Sequence, residues 1–296
     1  MANKEHTNGL HRSRVLRKLL SHRAAMLGAA ITLAVVMVSV FASWVAPKDP
    51  LELDPTRRLL PPVWMEKGTW AFPLGTDHVG RDILSRLVHG SRISMLVGLS
   101  AVTISATIGV LLGLVSGFYG GKIERVILWL ADVQIAFPFY LLVISIVAVV
   151  GTEFGTIIIV FGVAGWVIYA RLVRGAVLSL RRREFVEAAE ALGAGSIRIV
   201  ARHVLPNVLT PVIILATLRV ASVIVWESGL SFLGLSVAPP TPTWGRMLSD
   251  GRAYLANAWW ASTFPGLAIM VTVLGVNMLG DGLRDALDPR LEFHEK

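Results

Sequence analysis

The chain has 296 residues, of which 54% are apolar and only 16% charged, with a mean hydropathy of +0.64, a formal charge of +8 and no cysteine. A soluble domain carries about 25% charged residues. Here the deficit is concentrated in runs of about 18 or more residues without a charge, which excludes an ordinary soluble fold, while the missing cysteines exclude disulfide and thiol chemistry.

The first apolar run, 24–46, follows the basic stretch HRSRVLRKLLSHR. A cleaved signal peptide has an apolar core of about 7–15 residues, so this longer run reads as a retained span. Five more spans are predicted at 93–118, 126–150, 156–170, 208–226 and 262–279. The expectation is an all-α, polytopic membrane protein with six transmembrane helices.

Charge sets the orientation. With the N-terminus inside, the inner segments hold 18 of the 28 Lys and Arg residues and the outer segments 9, with Arg219 inside a span. That bias predicts both termini in the cytoplasm and explains the positive charge without nucleic acid. Trp226, Trp244, Tyr254, Trp259 and Trp260 fall near the outer ends of spans, as an aromatic belt would.

The outer loop 47–90 ends in FPLGTDHVGRDILSRLVHGSR. Ile83, Leu84, Leu87 and Val88 share a face at helical spacing, predicting a short helix lying on the outer interface. His78 and His89 belong to no organised ligand cluster and read as solvated or interfacial side chains rather than a metal site.

Within the second span, Ala101, Ser105, Gly109, Gly113 and Gly117 recur every four residues. A stripe of small residues lets another helix approach closely. It predicts a helix seam, either within a bundle or between two subunits. Asp132, Arg219 and Glu227 are charges in or beside spans, where charge faces a cavity or a partner. They either line a translocation path or form structural pairs, with an Asp132–Arg219 pair left open. Pro138 follows Asp132 and is able to bend the third span. The segment 227–262 is rich in Gly, Pro and Trp and is expected to be a re-entrant or surface-lying outer gate.

The stretch EFVEAAEALGAGSIRIVARHVLPN, 184–207, interrupts the apolar pattern with polar helix formers. Phe185, Ala188, Ala189 and Leu192 share one helical face. Gly193 and Gly195 permit positive φ and end that helix, Ser196 is placed to cap a second one bearing Ile199, Val200 and His203, and Pro206 marks the turn into the next span. A DNA-binding helix-turn-helix lacks its third helix here and is tethered at both ends. The physical reading is a cytoplasmic docking element that transmits a partner's movement into the membrane.

Glu187-Ala188-Ala189, followed by Gly193 and Leu205-Pro206, resembles the EAA loop of ABC importer permeases; His203 stands where that pattern often has Ile. LGTDHVGRDILSRLVHGSRISMLVG, ADVQIAFP, ESGLSFLGLSVAPPTPTWGRML and LGDGLRDALDPR are similar to the C-type membrane subunit of the dipeptide/oligopeptide/nickel permease family.

The resemblance implies a MetI-like type I importer fold, with an N-terminal region 1–73 and a core permease domain 74–290 that contains the coupling loop. It also implies a homologous B-type permease, two cytoplasmic ABC ATPase subunits and an extracytoplasmic solute-binding protein as partners, in the inner membrane of a bacterium. Peptides are the expected cargo, with nickel or another small solute as the alternative. The chain contains no phosphate-binding G-x-x-x-x-G-K-[ST] loop. The expectation is therefore that it is not an enzyme and binds no cofactor, ATP and Mg being held by the partner ATPases. An ion-driven secondary transporter would show inverted repeats, and an intramembrane enzyme a catalytic set within the spans; neither is evident.

Overall fold

The computed structural model describes residues 22–287 except 236; the basic N-terminal stretch and the end of the 279–290 motif lie outside these residues. Among the described residues five helices are long and apolar enough to cross a bilayer. A sixth crossing exists if one sharply bent helix pair counts as a span.

Helix α1 (Arg23–Val40) continues as a single turn, Ala42–Val45. After the outer loop, Asp82 caps α2 (Ile83–Tyr119) by accepting from the Ser85 N–H at 2.8 Å. At 1.5 Å per residue this helix is about 55 Å long and outruns a 30 Å hydrocarbon core. The expected separate interfacial helix does not exist. Its residues form the first turns of α2, where Ile83 is buried among Met247, Ala258, Trp260 and Ala261. The protein itself covers the apolar face that lipid was expected to cover.

The small-residue stripe lies within the chain. Ala101, Ser105, Gly109, Gly113 and Gly117 are all buried. A Cβ on Gly113 would sit 2.7 Å from the Ala170 carbonyl oxygen, and one on Gly117 would sit 2.8 Å from Val177 Cβ. Helix α2 therefore packs backbone-close onto α6 (Trp166–Leu180). The Ser105 hydroxyl donates to the Gly162 carbonyl at 2.7 Å.

The third span is broken. Helices α3 (Gly121–Ile135) and α4 (Phe139–Val150) meet at 86°. Pro138 has no N–H and disfavours helical geometry at Phe137, so the bend is complete rather than a slight kink. The fourth span is longer than predicted: α5 (Phe154–Ala164) and α6 together cover 27 residues, with a break at Gly165. Arg171 and Arg174 made the sequence look terminated at 170. In the fold they are matched by Asp132 and Glu124.

Between α6 and the fifth span lie α7 (Glu184–Ala191) and α8 (Ser196–Ile199). A π-helical turn, Val200–Val204, joins α8 to α9 (Leu205–Phe232). Pro206 thus marks no turn. The Leu205 N–H reaches back to the Val200 carbonyl, and this wider winding accommodates a proline that cannot donate. Ser196 is the first residue of its helix rather than its cap, and Gly195 sits at φ −67°, so only Gly193 uses a left-handed conformation.

In the apolar LSFLGLS, Leu230, Ser231 and Phe232 are the last turn of α9, with Leu230 fully buried, so these residues are not part of a separate re-entrant segment. Helices α10 (Trp244–Arg252) and α11 (Trp260–Leu287) follow. The aromatic belt is only partial: Trp244 and Trp260 are buried, donating to the Leu87 and Thr76 carbonyls at 2.9 and 3.3 Å. Each indole N–H needed an acceptor, and the outer loop and α2 supply them. Helix α1 lies along α11, where a Cβ on Gly28 would meet the Gly275 carbonyl at 2.7 Å.

Candidate functional site

The loop 184–207 is built to present apolar surface. Glu184 and Glu187 occupy the first turn of α7, where they complement the positive end of the helix dipole. Gly193, at φ +79°, donates to the Glu190 carbonyl at 2.9 Å, and Ala194 donates to Ala189 at 3.0 Å. These two bonds form a Schellman stop, in which a left-handed residue is required.

Val186 anchors α7. It is fully buried in the same cluster as Ile199, Val204 and Val208. The other apolar residues point away from the protein: Phe185 is 44% exposed, Ile197 79% and Leu192 87%. Ala188 and Glu187 are exposed beside them, Ala189 and Leu205 are half-buried, and Pro206 is exposed. The His203 ring lies 6.3 Å from that of Phe185, so it bridges α7 and the π turn. The chain is helical from Ser196 to Phe232, so α8 continues through the π turn into the membrane helix α9, while α7 is set off from it by the stop at Gly193. The base of α6 is fixed as well: Arg181 donates to the Phe118 carbonyl at 2.7 Å, near the C-terminal end of α2.

The second feature is a cleft of about 500 Å³ where the two helix breaks converge. Gln134, Phe137 and Pro138 come from the first break, Ala164, Gly165 and Tyr169 from the second. Gln134 ties the breaks together, accepting from Trp166 Nε1 at 2.7 Å and donating to the carbonyl of Ala164. The bond to Ala164 satisfies a backbone carbonyl at the break, and the other satisfies the Trp166 indole N–H.

The three predicted pathway residues separate. Asp132 pairs with Arg171, not with Arg219, and both partners are substantially exposed. Arg219 lines the cleft with its guanidinium carbon 5.5 Å from the centre of the Trp226 ring. Glu227 lies outside the lining, fully buried, and accepts from Ser231 Oγ at 2.8 Å. Ser231 in turn contacts Thr243 Oγ1 at 3.3 Å, the side chain that caps α10. Sequence reasoning missed Arg171 and Val186. The former was set aside as a span terminus, and the latter differs in no visible way from its apolar neighbours.

His78 stacks on Tyr254 at 5.5 Å and His89 Nδ1 lies 3.0 Å from the Ser85 carbonyl. Among the described residues no group of three His, Cys, Asp or Glu side chains is placed to hold a metal ion.

The described chain is thus a bundle of broken and extended membrane helices, with an elbow of exposed apolar residues between the fourth and fifth crossings. Residues 109–293 match the family of inner membrane components of binding-protein-dependent transport systems, and 12–62 match the N-terminal transmembrane domain of oligopeptide transport permease C. The chain is 45% identical to the di/tripeptide transport system permease protein DppC of Pseudomonas aeruginosa, over 92% of this chain and 89% of that protein. It is 41% identical to the dipeptide transport system permease protein DppC of Haemophilus influenzae, over 92% of each chain. Against the Escherichia coli K12 protein of the same name it is 43% identical, over 92% of this chain and 90% of that one. A chain of the inward-facing MetNI methionine ABC transporter superposes with a TM-score of 0.56 at 20% identity, covering 69% of this chain and 97% of that one, which is a likeness of fold. The chain belongs to the family of binding-protein-dependent transport system inner membrane components, as a multi-pass permease subunit of an ABC importer.

Proposed function

We propose that this chain forms one half of a heterodimeric pore that imports peptides, with a homologous B-type permease as the other half. Two cytoplasmic ABC ATPases carry ATP and Mg, an extracytoplasmic binding protein delivers cargo, and both termini lie in the cytoplasm. The names of the relatives support peptide as the cargo class. Support for the coupling role comes from one observation: Phe185, Leu192 and Ile197 are exposed on an elbow whose second helix runs unbroken from Ser196 into the membrane helix that bears Arg219.

The mechanism is alternating access. ATP binding closes the ATPases, the elbow seated on them moves, and α9 is displaced together with its side of the cleft. Hydrolysis resets the cycle. Glu187, Ala188, Ala189, Gly193, Leu205 and Pro206 act in this coupling. Glu187→Arg and Gly193→Pro should abolish dipeptide uptake while the chain still inserts and assembles with its partner permease. Normal uptake by both variants would refute the coupling role.

A further inference from the structure

Two arginines line the cleft at the helix breaks, and they are held differently. Arg171 is matched by Asp132. Arg219 makes no ion pair among the described residues; its guanidinium rests against Trp226, which is itself packed 4.5 Å from Phe139 at the start of α4. Arg219 lies about 21 Å along the axis from Leu205, well inside the crossing.

A guanidinium at that depth is costly against lipid and is kept where it meets water or an anion. The Asp132–Arg171 pair indicates which. Its side chains are 66% and 48% exposed, and a half-exposed ion pair is not stable against hydrocarbon, so this face of the chain is turned away from lipid, toward the path between it and the other permease half. The cation–π contact with Trp226 restrains the Arg219 guanidinium without occupying its N–H donors. A guanidinium so held is suited to bidentate capture of a carboxylate. The remaining lining is mostly apolar, including Phe137, Phe139, Leu142 and Ile168, and accepts side chains of varied shape.

We propose that Arg219 is a cargo-binding residue of the translocation path, which receives the terminal carboxylate of a peptide in this cleft. The inference rests on the peptide-import reading and adds to it a residue and the chemical group that residue recognises.

The test uses the complete permease–ATPase complex without the binding protein, so that delivery does not enter. The chain has no cysteine, so Ile168→Cys, in the cleft lining and 38% exposed in the parent, gives this subunit a single reporter thiol. Its alkylation rate is measured with Ala-Ala and with Ala-Ala amide, the parent complex serving as the blank. With dipeptide at about four times its Kd, alkylation should slow about fivefold. The amide should give no slowing. Adding Arg219→Gln should remove the protection, and Arg219→Lys should keep part of it. Equal protection by peptide and amide, protection that survives Arg219→Gln, or no protection at all overturns the inference. Dipeptide uptake by the intact importer is run alongside: if it fails, the import reading itself is wrong, whereas uptake without protection removes only the role of Arg219.

Discussion

The two ends of this molecule are held by opposite means. At the outer end, Asp77 lies 2.7 Å from Arg81 and 3.4 Å from Arg86, and Asp250 reaches Arg81, Arg86 and Arg246 at 3.8, 4.0 and 3.0 Å. Arg86, Asp77 and Asp82 are buried, and Trp260 closes the same region. Loop, α2 and α10 are thereby locked together by ion pairs, and α11 is tied to the loop by the Trp260–Thr76 hydrogen bond. At the inner end the buried Val186 and half-buried Ala189 secure a helix whose Phe185, Ala188 and Leu192 face outward. The outer end is completed by its own chain, whereas the inner end leaves apolar side chains uncovered. Buried charge demands internal partners, whereas exposed apolar surface is tolerated where a partner covers it.

This contrast can be broken at either end. The largest effect is expected from Asp77→Ala. It leaves Arg86 with only the 4.0 Å contact to Asp250 and removes the acceptor for the Val79 and Arg81 N–H groups. Breaking a buried pair costs about 3–5 kcal/mol, which should appear as early loss of monodisperse complex on heating in detergent. Next comes Gly113→Val, which overpacks the α2–α6 seam by about 1–3 kcal/mol in the same assay; Gly113→Ala should do less. Gly193→Ala forces a side chain into the left-handed region at about 1–2 kcal/mol. That cost is local, so protease sensitivity near 193 should rise while the melting of the outer end stays unchanged.

Leu192→Ser is expected to change the chain's stability by no more than about 0.5 kcal/mol, because the side chain touches solvent. It should nevertheless weaken co-purification of the ATPase subunits. An outer-end variant that lost the ATPases while melting normally, or a Leu192→Ser that unfolded the chain, would reverse the contrast.

Much of the fold was legible because hydrophobic length is a local property. The spans, the Gly193 stop and the exposed face of α7 follow from runs, periods and one left-handed turn. The misreadings cluster where a distant residue changes the meaning of a local pattern. Arg171 and Arg174 seemed to end a span because Asp132 and Glu124 are far away in sequence. The face of Ile83 and Val88 seemed to seek lipid because Met247 and Trp260 were not known to lie across from Ile83. Pro206 seemed to force a turn because a π-helical turn beneath it is invisible in composition.

The sequence by itself determined that this chain crosses a membrane, how many apolar runs it uses, and that one polar helix interrupts them. Those properties depend on transfer of short segments from water to lipid, which neighbours in sequence decide. Only the tertiary structure decided that Arg171, not Arg219, belongs to Asp132, that Glu227 braces the outer end, and that two breaks meet to open a cleft. Those are choices among partners far apart in the chain, and in a low-dielectric interior the partner a charge finds fixes what it does.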